Sequence, residues 1–298
     1  VNFYPISTTL YVNTICNYRC SFCFLINDDH KGNKKYNLDL EKFHKLLQQN
    51  HIKYSARITL GGGEPYLNKN IYYFIEELKK RKKIISVYTN GSLIERQYDE
   101  MIKNQPNYLN ISHYDDKFDD LSYMFKNINE DKNKKFTSRL SKLVTTENYK
   151  ELDLIIEKAI HNSFDRVILQ NYFPYKDENM NRVIYDDDIE FKENLKKIIK
   201  KYKKKIMIIP PNLLKKKNDI FSCNNLTINS TVDSEGNLAT CCFLTPPSKE
   251  TGNIYDSIEE NSWNSQKLIN FRNYIGTQNS PIDCKNCYFK NGIVNRSI

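Results

Sequence analysis

The stretch Cys16-Asn17-Tyr18-Arg19-Cys20-Ser21-Phe22-Cys23 sets three thiols in a C-x3-C-x2-C spacing directly behind a β-rich run, Leu10–Asn13. Three thiolates this close in sequence suit three corners of one iron–sulfur cubane, and they leave its fourth iron without a protein ligand. An iron with an open position is a place for chemistry. C-x2-C is also a zinc spacing, but a tetrahedral zinc needs a fourth ligand, and the local candidate is His30. The loop's place at the carboxyl end of a strand points to a fold that gathers its function on such ends.

Around this loop the chain alternates short β-rich runs with helical periodicity, the mark of βα units on a parallel sheet. Strands are predicted at Leu10–Asn13, Arg57–Leu60, Ile84–Tyr88, Leu109–Ser112, Arg139–Thr145 and Val167–Leu169, with helices at Leu38–Gln49, Ile71–Lys80 and Asn148–Ile160. Six such units are too few for a closed eight-stranded barrel, so the expected fold is α/β, an open partial (βα)6 TIM-like barrel. Each unusual loop follows a strand. Gly61-Gly62-Gly63-Glu64-Pro65 follows the second, Thr89-Asn90-Gly91-Ser92 the third, Ser112-His113-Tyr114 closes the fourth, and Gln170-Asn171 the sixth. The polar segment Asn171–Asp188 reads as a substrate loop, Ile189–Lys203 as a helix and Ile206–Pro210 as a short strand before a domain boundary near Ile220.

Behind that boundary come Cys223, the run Gly236-Asn237-Leu238-Ala239-Thr240-Cys241, then Cys242, and finally Cys284-Lys285-Asn286-Cys287. Thr227–Val232 and Leu238–Cys242 flank Asp233-Ser234-Glu235-Gly236 as a β-hairpin. The expected division is a core over residues 1–220 and a small hairpin-plus-helix domain over 221–298. Four cysteines so arranged also suit a structural zinc. Cys242, next to Cys241 on a strand, points to the opposite face. It is read as a buried small hydrophobe or as a hydrogen-atom donor.

The cysteine hook and Gly62-Gly63-Glu64-Pro65 together resemble the radical SAM superfamily, with Gly61 standing where Ser or Thr is more usual. The resemblance implies a [4Fe-4S] cluster on Cys16, Cys20 and Cys23 whose open iron takes the amino and carboxylate groups of S-adenosylmethionine. Reductive cleavage there gives a 5′-deoxyadenosyl radical. It implies further that Gly62, Gly63, Glu64 and Pro65 form the loop that receives the ligand's ammonium group, that Asn90 and Ser92 contact the ribose, and that Ser112 contacts the ribose or carboxylate. Arg139 would pair with the carboxylate and Gln170 would line the adenine. The later cysteines resemble the Twitch subdomain, the shortened form of the SPASM domain, which implies a second [4Fe-4S] cluster on Cys223, Cys241, Cys284 and Cys287. A Cys-Cys pair on the auxiliary hairpin is similar to that of radical SAM peptide epimerases, in which the second cysteine, here Cys242, gives a hydrogen atom.

The function expected from this resemblance is modification of a ribosomally made peptide, by epimerisation or crosslinking. A radical dehydrogenase or epimerase of a small sugar, aminocyclitol or nucleotide is the alternative within the enzymes. A non-catalytic iron–sulfur or zinc protein that binds nucleic acid is the alternative outside them. The net charge of +9 and the runs Lys79–Lys83, Lys196–Lys205 and Lys215–Lys217 raise that last reading. Two of the runs lie on or at the end of predicted amphipathic helices, where a solvated face accounts for them. A mildly basic surface equally attracts an acidic flavodoxin or ferredoxin electron donor, so nucleic acid is not the expected partner. No apolar run approaches the roughly 20 residues of a membrane helix, and Val1-Asn2-Phe3-Tyr4-Pro5 lacks the pattern of a signal peptide. Of the eight cysteines all but Cys223 stand in close groups rather than in a scattered disulfide framework, as suits a cytoplasmic location.

Overall fold

The computed structural model describes residues 4–23, 36–114, 117–173, 177–215, 223, 225–239, 241, 252–255, 263–280, 284 and 287. Its strands are β1 (Ser7–Asn13), β2 (Arg57–Gly62), β3 (Ile84–Thr89), β4 (Tyr108–Ser112), β5 (Thr137–Val144), β6 (Arg166–Asn171), β7 (Met207–Ile209), β8 (Asn229–Val232) and β9 (Leu238–Ala239). The helices are α1 (Leu40–Gln48), α2 (Asn50–Tyr54), α3 (Ile71–Lys80), α4 (Tyr98–Lys103), α5 (Phe118–Glu130), α6 (Leu152–His161), α7 (Ile189–Tyr202), α8 (Asn225–Ile228) and α9 (Gln266–Tyr274). The chain divides into two compact units, Val1–Thr89 with Cys223–Asn279, and Asn90–Ser222 with Ser280–Ile298.

In the first unit the strand order is β3-β2-β1-β8-β9, parallel throughout except for the antiparallel β9. Helix α3 shows why such segments fold as they do. Ile71, Phe74, Ile75 and Leu78 recur at helical spacing and are all buried, while Glu76, Glu77, Lys80 and Arg81 pair on the outer side. Helix α1 starts where the Asp39 carboxylate accepts from Lys42 N–H at 2.8 Å. Thr8 ties the layers together, its hydroxyl lying 2.7 Å from both Ser55 and Ser230.

The second unit holds β4, β5, β6 and β7, all parallel. Helix α7 is capped by Asp188, which accepts from Phe191 N–H at 2.9 Å. Helices α4 and α5 escape the sequence pattern. In α5 the buried Phe118, Phe125 and Ile128 are interleaved with Asp119, Asp120, Ser122, Asn127 and Asn129, so its apolar stripe is diluted.

The boundary expected near Ile220 lies outside the described residues. Beyond it the hairpin forms, with Gly236 N–H on the Asp233 carbonyl and the Asp233 side chain accepting from Glu235 and Asn237 N–H. Its first strand, β8, adds to the edge of β1 in parallel register from Ser7↔Asn229 to Leu10↔Val232. Among the described residues no helix is long and apolar enough to cross a membrane.

Candidate active site

The hook leaves β1 at Asn13, and the end of β2 grips the chain as it goes. Gly63 N–H donates to the Asn13 carbonyl at 3.0 Å, Glu64 N–H to the Ile15 carbonyl at 2.8 Å, and Asn13 Nδ2 to the Glu64 carbonyl at 2.8 Å. A Cβ on Gly63 would stand 2.1 Å from Ile15 O, and one on Gly62, at φ +113°, 2.3 Å from Asn13 O. The two glycines therefore give close approach to the main chain that carries the cysteines. Gly61 has open space where its Cβ would go.

Within the hook, Cys23 N–H closes a turn on the Cys20 carbonyl at 3.0 Å, and Tyr18 N–H donates to Cys16 Sγ at 3.4 Å. Cys16, Cys20 and Cys23 stand in no disulfide and are partly exposed, as suits ligands that meet a cluster. Among the described residues no three Cys, His, Asp or Glu side chains converge on one point as the ligands of a single ion would. Ligands on separate corners of a cubane need no such convergence. The zinc candidate His30 lies outside the described residues.

Glu64 is 1% exposed, and its Oε1 accepts from Thr89 Oγ1 at 2.8 Å and from Tyr66 N–H at 3.2 Å. Pro65 opens the 3-10 turn Pro65–Leu67 that Glu64 caps. Burial, with Tyr72 and Glu64 nearby, raises the Tyr66 phenol well above its ordinary range. Asn68 braces the same corner, donating to the Val12 and Leu38 carbonyls at 2.9 and 3.0 Å.

In the second unit Asn90 Oδ1 accepts from Ser92 N–H at 2.9 Å and Ser92 Oγ at 2.6 Å, closing a tight loop around Gly91. Gly91 has φ +80°, and its Cβ would stand 2.6 Å from the Phe125 ring. Strand alternation and the β4–β5–β6 register put Ser112, Arg139 and Gln170 on one face. Ser112 pairs with Ser141, whose hydroxyl donates to Gln170 Oε1 at 3.1 Å, so these three gather at the carboxyl ends of their strands. Arg139 stands two residues back, roughly 7 Å along the strand, with its guanidinium 3.5 Å from the centre of the Tyr108 ring. The structure does not bring it level with Ser112 and Gln170. His113 stacks on Phe118 with ring centres 4.6 Å apart and forms part of the packed rim.

Cys223 and Cys241 belong to the first unit, and Cys284 and Cys287 to the second. Cys287 N–H reaches the Cys284 carbonyl at 3.4 Å, the same knuckle as in the hook. Burial, and then Cys241, push the Cys223 thiol up, while the backbone N–H groups of Leu226 and Asn225 act the other way. Asn225 Nδ2 donates to Cys241 Sγ at 3.3 Å. Sulfurs that attract N–H donors in a buried setting fit the ligands of an iron–sulfur cluster. Cys242 lies outside the described residues. Asn13, Ser141 and Asn225 carry no spacing signal in the sequence, and Thr89 stands out there only as the first residue of Thr89-Asn90-Gly91-Ser92, with nothing to point it at Glu64.

The profile of the radical SAM superfamily matches residues 10–187, and that of SPASM, an iron-sulfur cluster-binding domain, matches residues 223–288. The tungsten-containing aldehyde ferredoxin oxidoreductase cofactor-modifying protein of Pyrococcus furiosus is 25% identical over 209 residues, 61% of this chain and 55% of that protein. The chain thus spans about half the length of this curated relative. Streptococcus suis SuiB bound to S-adenosylmethionine superposes with a TM-score of 0.71 at 17% identity, over 91% of this chain and 68% of SuiB. SuiB bound to its precursor peptide SuiA gives 0.69 at 18%, over 96% and 71%. Native anSMEcpe with bound AdoMet gives 0.66 at 17%, over 95% and 87%. These likenesses establish the fold as the α/β partial barrel of such enzymes, and the two domains are those that carry [4Fe-4S] clusters and S-adenosylmethionine.

Proposed function

The chain belongs to the radical SAM superfamily, and from that premise we propose that it is a peptide-modifying enzyme that epimerises or crosslinks a ribosomally made substrate. The observation that carries the reading is the cysteine hook braced by the backbone of Gly63 and Glu64. A [4Fe-4S] cluster and S-adenosylmethionine, when bound, supply a 5′-deoxyadenosyl radical that abstracts a hydrogen atom from an unactivated C–H bond.

In this reading Cys16, Cys20 and Cys23 ligate three irons. Glu64, its carboxylate turned by the Thr89 hydroxyl and Tyr66 N–H, receives the ligand's ammonium group. Asn90 and Ser92 meet the ribose, Ser112 the ribose or the carboxylate, and Gln170 the adenine. Cys223, Cys241, Cys284 and Cys287 hold the auxiliary cluster. Cys242 gives a hydrogen atom to the substrate carbon radical, and its sulfur regains one electron and one proton from an external reductant of the flavodoxin or ferredoxin class. The lean to a peptide is supported by the Cys241-Cys242 pair and by the fold shared with SuiB, which has been seen with its precursor peptide.

The test is anaerobic reconstitution with iron and sulfide, followed by S-adenosylmethionine and dithionite. About eight irons per chain and 5′-deoxyadenosine are expected for two cubanes. The combined Cys16→Ala, Cys20→Ala, Cys23→Ala variant should keep about four irons and form no 5′-deoxyadenosine. Cleavage above background in that variant would sink the assignment. Cys242→Ala should still form 5′-deoxyadenosine yet place no deuterium in a peptide turned over in deuterated water; normal incorporation removes its role.

A further inference from the structure

Cys241 is buried, and the hydrogen bond it receives from Asn225 is not free to reverse. Asn229 Nδ2 donates to Asn225 Oδ1, so the acceptor end of the Asn225 amide is engaged and its donor end faces the sulfur. Asn229 is held in turn by β8, where it pairs with Ser7 of β1. The neighbouring backbone N–H groups of Leu226 and Asn225 point at the Cys223 sulfur. Leu226 is itself pinned, for Arg272 Nε donates to its carbonyl at 3.1 Å and the Arg272 guanidinium stacks 4.0 Å from the ring centre of the fully buried Trp263.

Such donors act on a redox couple. Adding one electron to a cluster places more negative charge on its sulfur ligands, and a hydrogen-bond donor favours the more negative form. Burial without donors has the opposite effect. We infer that Asn225 is a positioning residue that sets the reduction potential of the auxiliary cluster, holding it above that of the same cluster without this hydrogen bond. The inference rests on Cys223, Cys241, Cys284 and Cys287 being the cluster's ligands. The couple exchanges one electron and no atom, with dithionite as reductant in the test.

The experiment is a redox titration followed by electron paramagnetic resonance, on the full chain carrying Cys16→Ala, Cys20→Ala and Cys23→Ala so that only the auxiliary cluster reports. Adding Asn225→Leu, close in size but without a donor, should lower the reduced-to-oxidised ratio at a fixed potential about tenfold, a shift of about 59 mV to the negative for one electron. Asn229→Ala, which frees the amide to turn, should shift the midpoint the same way by less. An unchanged midpoint in Asn225→Leu with full iron content overturns the inference alone. Loss of the cluster from both variants makes Asn225 a residue that retains the cluster, and also overturns it. A parent chain that holds zinc or no second cluster removes the ligand reading and the inference together.

Discussion

Around Cys16–Cys23 the protein sets main chain against main chain, with Gly63 and Glu64 N–H on the carbonyls of Asn13 and Ile15, and one side-chain amide, Asn13 Nδ2, beside them on the Glu64 carbonyl. Around Cys223 and Cys241 side chains join the backbone N–H groups, the Asn225 amide on a sulfur and the Arg272 guanidinium on a carbonyl. A backbone clamp is rigid and indifferent to chemistry, which suits a loop that must present one open iron. A side-chain clamp is adjustable, which suits a centre whose properties depend on the dipoles around it.

The sharpest way to break this contrast is to put a methyl group into the backbone clamp. Gly63→Ala places a Cβ 2.1 Å from Ile15 O, and main chain cannot yield as a side chain does, so a loss of about 3 kcal/mol is expected. Denaturant unfolding should show it, with iron at the hook lost in parallel. Gly61→Ala, which meets nothing within 4 Å, should change stability by less than about 0.5 kcal/mol. Equal effects at the two positions would mean that the clamp does not hold the hook.

Both regions share a scaffold, since Thr8 of β1 joins Ser55 to Ser230 of β8. His51, one turn before Ser55 on α2, is buried, and burial lowers its pKa to about 4. The unfolded chain takes up this proton near pH 6.5 and the folded chain only near pH 4, so stability is full above 6.5 and falls as the pH drops through that window. Wild type should lose roughly 3 kcal/mol by pH 4 relative to His51→Leu, whose curve is flatter. Parallel stability curves for the two proteins would remove His51 as the cause.

The smallest change tests the hydroxyl that turns the Glu64 carboxylate in the backbone-held region. Thr89→Val removes the hydroxyl that donates to Glu64 Oε1. S-adenosylmethionine affinity should fall about tenfold, near 1.4 kcal/mol, with iron content unchanged. Equilibrium binding to the reconstituted protein reads it directly, and an unaltered affinity would show that Glu64 is oriented without Thr89.

Much of the fold was legible because its signals are local. The Ile71–Lys80 helix is found with the predicted ends, and each predicted strand of the barrel is present. β1 begins at Ser7 rather than Leu10, since Ser7–Thr9 become strand by pairing with β2 and β8 on either side. The hook and Gly62-Gly63-Glu64-Pro65 were legible for a related reason, as thiols at fixed spacing and adjacent glycines answer to demands that few other residues meet. Close approach of Gly62 and Gly63 to the hook's own main chain, by contrast, has no signal in the sequence.

By itself the sequence determined the fold class, the family resemblance and the cysteine sets, because strand periodicity, glycine pairs and cysteine spacing are properties of neighbours along the chain. Only the tertiary structure decided that β8 extends the edge of β1, that Thr89 turns the Glu64 carboxylate, that Arg139 lies against Tyr108 below Ser112 and Gln170, and that Asn225 faces Cys241. Each of these joins residues 16 or more apart in the chain, through groups that many positions share. A hydrogen bond or a stacked ring depends on distance and angle in space, and neither is written in the order of residues.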